Sequence, residues 1–161
     1  MSSSIKHYGR IYTPDYLVKL MLDFGNYRFG ATQCRHVIDN SCGNGAFLTE
    51  IVRRYIVEFL ERSNDLKLLQ SELETFVHGV EIDRDEYAKC LDNLDKTAAE
   101  YGLSNVRWDI INADALTLRQ FDNKMDFVFG NPPYVRVHNL SDNYNSVKMR
   151  RCFECVFSYL L

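Results

Sequence analysis

The stretch RHVIDNSCGNGAFLTEIVRRYIVEFL, residues 35–60, limits the possible folds more than any other part of the chain. A short apolar run closes on an acid, the chain turns through two glycines, and an amphipathic helix follows at once. Phe47, Leu48, Ile51, Val52, Tyr55, Ile56, Phe59 and Leu60 recur with the helical period, while Glu50, Arg53, Arg54, Glu58 and Arg62 fill the other side. A short buried strand (Arg35 to Asp39), a tight turn and a long helix, in that order, begin an α/β pattern.

The pattern recurs downstream. VHGVEID (Val77 to Asp83) reads as a second strand ending in acids, and RDEYAKCLDNLDKTAAEYG as a helix with Gly102 at its C′ position. VRWDIINADAL holds a third strand and KMDFVFG a fourth. Upstream, YTPDYLVKLMLDFG predicts a helix with Thr13 at the N-cap, Pro14 at N1, Asp15 in the first turn and Gly25 as the stop. DLKLLQSELETF adds another helical piece. The expected fold is α/β with a largely parallel sheet, in one domain of ordinary size for 161 residues.

Composition narrows the setting. Hydrophobic residues make up 46% and charged residues 25%, which predicts a soluble globular chain. No apolar run approaches the ~18 residues of a membrane helix, and MSSSIKHYGR lacks the apolar core of an export signal, so a cytoplasmic location is expected. Five cysteines in such a chain suggest reduced thiols. Cys152 and Cys155 form a C-x-x-C inside the apolar stretch CFECVFSYLL; without other ligands they do not make a zinc site, and helical packing explains them. No metal is expected. A net charge of -3 argues against a simple basic nucleic-acid module.

In open α/β sheets ligands bind beyond the carboxyl ends of the strands, and the informative residues of this chain stand there. After the first strand come Asp39, Ser41, Gly43 and Gly45, a turn that lets a ligand approach the backbone near a helix N-terminus. The third glycine of a dinucleotide fingerprint is missing, since Ala46, Phe47 and Leu48 follow. After the second strand, Glu81 can accept both hydroxyls of a ribose. After the third, Asp114 can accept from an adenine amino group or cap a helix. After the fourth comes NPPY, Asn131 to Tyr134, in which an amide oxygen and a proline carbonyl can grip an NH₂ group and an aromatic face can stack on a base. Singly, each has an ordinary reading as a tight turn, a solvated strand end, a cap or a rigid corner. All four ordinary readings together are the weaker account.

The order YTP, DNSCGNGAF, GVEID, NADAL, GNPPY resembles the S-adenosylmethionine-dependent DNA adenine-N6 methyltransferases, and GNPPYVRVHNL is similar to type II enzymes of restriction–modification systems. The resemblance runs from Tyr12 to Leu140. NPPY is shared with methyltransferases that modify glutamine in release factors and with some RNA methyltransferases; the YTP and SCGNGAF segments favour DNA.

The resemblance implies a Rossmann-like class I methyltransferase sheet and S-adenosylmethionine as cofactor. Thr13 and Pro14 match the motif that helps hold its methionine end, and Asp39, Ser41, Gly43 and Gly45 match the glycine loop around that end. Glu81 matches the acid at the ribose, Ile82 the residue against the adenine ring, and Asp114 the acid at the adenine amino group. Asn131, Pro132 and Tyr134 match the catalytic tetrapeptide, shaped by Pro133. The implied substrate is double-stranded DNA with a flipped adenine, and a cognate restriction endonuclease is an implied partner.

The chain departs from the family pattern near its end. The family often carries an acid where Arg150 and Arg151 stand. The sheet is expected to be truncated after the fourth strand, so that residues 1–161 form a partial S-adenosylmethionine-binding domain without the target-recognition region. A second polypeptide supplying the missing half, or an inactive cofactor-binding fragment, are the corresponding expectations.

Overall fold

The computed structural model describes residues 12–132. In chain order these form α1 (Asp15–Phe24), β1 (Val37–Asp39), α2 (Ala46–Arg62), α3 (Leu66–Phe76), β2 (Val77–Glu81), α4 (Arg84–Ala99), β3 (Asp109–Asn112) and β4 (Phe127–Phe129). The strands make one parallel sheet in the order β3-β2-β1-β4. Val37 is in register with Val77 and Phe127, and Asp39 with Gly79 and Phe129. This is the α/β parallel sheet expected from the sequence. The chain steps from β1 to β2 to β3, then crosses back to lay β4 on the other side of β1. Between β1 and β4 the winding reverses, and it is beyond the carboxyl ends at such a reversal that open α/β sheets bind ligands.

Strand residues alternate between two apolar layers. Val37, Val77, Ile110, Phe127 and Phe129 pack with all four described helices. Ile38, Val80, Ile111 and Val128 pack with Phe121, Met125 and Leu116 from the link between β3 and β4. That link, residues 113–126, is built of turns rather than a helix. Gly79 lets α2 and β3 approach β2: a Cβ there would lie 2.8 Å from Leu48 and 2.9 Å from Ile110 side-chain carbons. No helix among the described residues is long and apolar enough to cross a membrane.

Helix ends depart from expectation in two places. Pro14, not Thr13, is the N-cap of α1; its extended backbone (φ -58°, ψ 144°) lets its carbonyl accept from Leu17 and Val18. The Thr13 hydroxyl is engaged elsewhere. At the other end Asn26, not Gly25, takes the left-handed conformation, at φ 61°. Tyr27 donates to Leu22 and Asn26 to Asp23, the Schellman pattern with asparagine in the usual glycine place. Gly25 serves packing instead, since a Cβ there would collide with the Phe129 ring. Gly102 does stop α4 as expected: at φ 80° it donates to Ala99 while Leu103 donates to Ala98.

Two strands are shorter than the sequence predicts. β1 begins at Val37 because the His36 carbonyl accepts from Asp126 and Phe127, while the Asp126 carboxylate takes the His36 amide and Arg35. β2 stops at Glu81 because Asp83 is the N-cap of α4, accepting from the amides of Asp85 and Glu86. At the amino end of the sheet His36 Nδ1 meets His78 Nε2 at 2.9 Å, and His78 Nδ1 meets Asp109 Oδ2 at 2.6 Å, linking the starts of three strands.

Candidate functional site

The carboxyl ends of the four strands form one polar rim. β1 ends at Asp39, which is 1% exposed, and its Oδ1 accepts the Ser41 amide at 3.0 Å. Burial pushes the Asp39 carboxyl up to about 7; the Ser41 amide pulls it down and the nearby Glu81 charge pushes it up further. The turn continues through Gly43 (φ 53°) and Gly45 (φ 86°), conformations that only glycine enters freely. Gly45 caps α2 with its back to α4, where a Cβ would lie 2.8 Å from Cys90 Sγ. Gly43 has open space on its Cβ side, so the loop apex is bare backbone. Ser41 Oγ is buried with no hydrogen-bond partner among the described residues.

Glu81 ties the first loop to the second. Its Oε2 accepts the Gly43 amide and its Oε1 the Asp83 amide, each at 2.7 Å. Every carboxylate oxygen keeps a second lone pair, so both can still accept a hydroxyl. Ile82, the next residue, is 63% exposed and offers an apolar surface beside it. Asp114 caps the turn after β3, its Oδ1 accepting the Leu116 amide and its carbonyl the Thr117 amide. The element it caps is a turn rather than a helix, and Oδ1 is the carboxylate oxygen engaged in that cap.

The fourth strand end closes the ring. Gly130, at φ 156°, lies so close to the first loop that a Cβ would fall 2.7 Å from Asp39 Oδ1 and 3.4 Å from Ser41 Oγ. The next residue, Asn131, donates through Nδ2 to Thr13 Oγ1 at 3.2 Å. Pro132 follows at the exposed edge. Tyr134, together with Pro133, Cys152, Cys155, Arg150 and Arg151, lies outside the described residues.

The structure thus gathers Thr13, Pro14, Asp39, Ser41, Gly43, Gly45, Glu81, Ile82, Asn131 and Pro132 along one rim, with Asp114 capping the neighbouring turn. It also adds residues that sequence reading missed. Asn112 Nδ2 donates to the carbonyls of Glu81 and Ile82 and holds that strand end. Tyr12 donates to the Glu86 carboxylate, at 3.0 and 3.2 Å from its two oxygens. Gly130 stood in plain view before NPPY. Its adjacency to Asp39 depends on β1 and β4 pairing side by side.

The model of the N-6 DNA methylase family matches residues 1–155. The chain belongs to the N-6 DNA methylase family. It is 31% identical over 149 residues to the type II methyltransferase M.BstVI of Geobacillus stearothermophilus, covering 86% of this chain and 27% of that protein. It is 29% identical over 127 residues to the modification methylase CviBIII of Paramecium bursaria Chlorella virus NC1A, covering 79% of this chain and 26% of that one. The chain therefore spans about a quarter of the length of these curated relatives. A modification subunit of a putative type I restriction enzyme from Vibrio vulnificus YJ016 superposes with TM-score 0.61 at 17% identity, over 94% of this chain and 31% of that one. The N-6 DNA methylase fold of the described residues is accordingly the class I methyltransferase sheet.

Proposed function

We propose that this N-6 DNA methylase chain carries the cofactor-binding and catalytic part of an enzyme that methylates the N6 amino group of adenine in DNA, within a restriction–modification system. The observation that carries the reading is the packing of Gly130 on Asp39 and Ser41, which sets Asn131 beside the glycine loop. S-adenosylmethionine fits the rim. The unpartnered Ser41 hydroxyl and the bare apex at Gly43 suit its polar methionine end, together with Thr13, Pro14, Asp39 and Gly45. The free lone pairs of Glu81 suit ribose hydroxyls, exposed Ile82 suits a flat purine, and Asp114 suits its amino group. Bound there, this cofactor supplies an electrophilic methyl group on a sulfonium.

The chain's own residues prepare the nucleophile. An aromatic amine is a poor nucleophile because its lone pair is delocalised into the ring. Asn131 Oδ1 and the Pro132 carbonyl accept its two N–H bonds and draw the nitrogen toward a tetrahedral shape, freeing the lone pair. These are neutral acceptors, and their oriented dipoles stabilise positive charge as it develops on the nitrogen. Tyr134 provides the stacking wall for the extruded base. The net charge of -3 gives the chain little overall attraction for phosphates.

Tritiated-methyl transfer to unmethylated DNA tests this, with the product base identified. Label in N6-methyladenine is expected, with a loss of at least roughly a hundredfold for Asn131→Ala. Label in cytosine, or an Asn131→Ala rate equal to wild type, refutes it.

A further inference from the structure

On the methyl-transfer reading just given, we infer that Thr13 is a positioning residue for the reaction: its hydroxyl holds the Asn131 side-chain amide in place beside the rim. An amide side chain has two ends of nearly equal size. Turned about its axis, it would present an N–H to the target's own N–H and repel the group it must hold. Only the oxygen-inward orientation is productive. In the structure one N–H of Nδ2 is donated to Thr13 Oγ1 at 3.2 Å, which tethers the amide while Oδ1 stays available as an acceptor.

Thr13 is itself held at both sides. The following residue, Pro14, has its φ fixed and begins α1. The preceding residue, Tyr12, is clasped by Glu86, a carboxylate 4% exposed on α4. Glu86 is anchored in turn by Lys89 Nζ at 2.7 Å and by its own amide on Asp83 Oδ1 at 3.1 Å. Residues 12–14 thus strap the rim from α4 to the β4 turn, and the hydroxyl of Thr13 is the contact at which the strap reaches the reacting group.

The test compares Thr13→Val, which keeps the shape and removes the hydroxyl, with Thr13→Ser, which keeps the hydroxyl. S-adenosylmethionine affinity is measured by calorimetry and methyl transfer by single turnover at saturating cofactor. Thr13→Val is expected to slow transfer at saturating cofactor by roughly tenfold or more, beyond any effect on cofactor affinity, and Thr13→Ser to restore the rate. Loss of affinity with an unchanged saturated rate would assign Thr13 to the cofactor alone and overturn the inference. Equal rates in wild type and Thr13→Val would also overturn it, while leaving the methyl-transfer reading intact. A second readout does not depend on activity. The side-chain amide resonances of Asn131, assigned by their loss in Asn131→Asp, should shift in Thr13→Val and return in Thr13→Ser. If wild type transfers no methyl group, the functional reading fails, and these resonances still decide whether Thr13 orients the amide. Resonances that do not move in Thr13→Val overturn the inference.

Discussion

Asp39 is a carboxyl buried at a strand end, and its protonation sets a sign for stability. Its folded pKa, about 7, lies above the ordinary carboxyl value of 3.8. Between those values the folded chain holds a proton that the unfolded chain releases, so stability falls as pH rises through this window. Asp39→Asn keeps the acceptor for the Ser41 amide and cannot ionise. The variant should therefore be the more stable form at pH 8, by up to about 4 kcal/mol, and nearly equal to wild type at pH 4. Urea unfolding at both pH values measures it, and a wild type more stable than the variant at pH 8 would contradict the assignment. Gly130 makes a steric prediction at the same scale. Gly130→Ala sets a methyl against Asp39 Oδ1 and should destabilise the fold by about 1–3 kcal/mol, read as a lowered unfolding midpoint.

Among the elements, α2 and β2 pack closely enough to test directly. Gly79→Ala inserts a methyl between Leu48 and Ile110, and a loss of about 1–3 kcal/mol is expected in urea unfolding. An unchanged midpoint would mean that α2 has room to retreat. The helices were legible in the sequence because their apolar positions recur with the helical period, as in Leu48, Ile51, Tyr55 and Phe59. The strands were legible as apolar runs, but their ends were not. Asp83 could equally extend β2 or cap α4, and only the amides of Asp85 and Glu86 decide between them. Gly25 attracted the helix stop because glycine favours that position, whereas Asn26 occupies it and Gly25 answers to an aromatic ring from β4. The residues of the rim were legible one strand end at a time. Their mutual bonds were not: Thr13 and Asn131 stand 118 positions apart, and no local pattern encodes such a contact.

For the molecule as a whole, the two ends of the sheet carry opposite responses to acid. At the amino end, burial and then the neighbouring His78 lower the pKa of His36, against an opposing pull from Asp126. A histidine with a depressed folded pKa contributes stability that is present above the unfolded value of ~6.5 and lost as pH falls below it. At the carboxyl end Asp39 gains in the same direction of pH. From pH 7 to pH 5 the His36 loss should thus oppose the Asp39 gain in wild type. His36→Gln should expose the Asp39 slope and Asp39→Asn the histidine slope, in denaturant titrations at the two pH values. Identical pH profiles for the two variants would sink this account.

The loops at the rim are bonded to each other, through Glu81 to Gly43 and Asp83, Asn112 to Glu81 and Ile82, and Asn131 to Thr13. A cleft braced in this way has already given up its backbone entropy before any guest arrives. Association should then be quick and cost little reordering. The discrimination between guests falls to the few groups left unsatisfied, first among them the Ser41 hydroxyl.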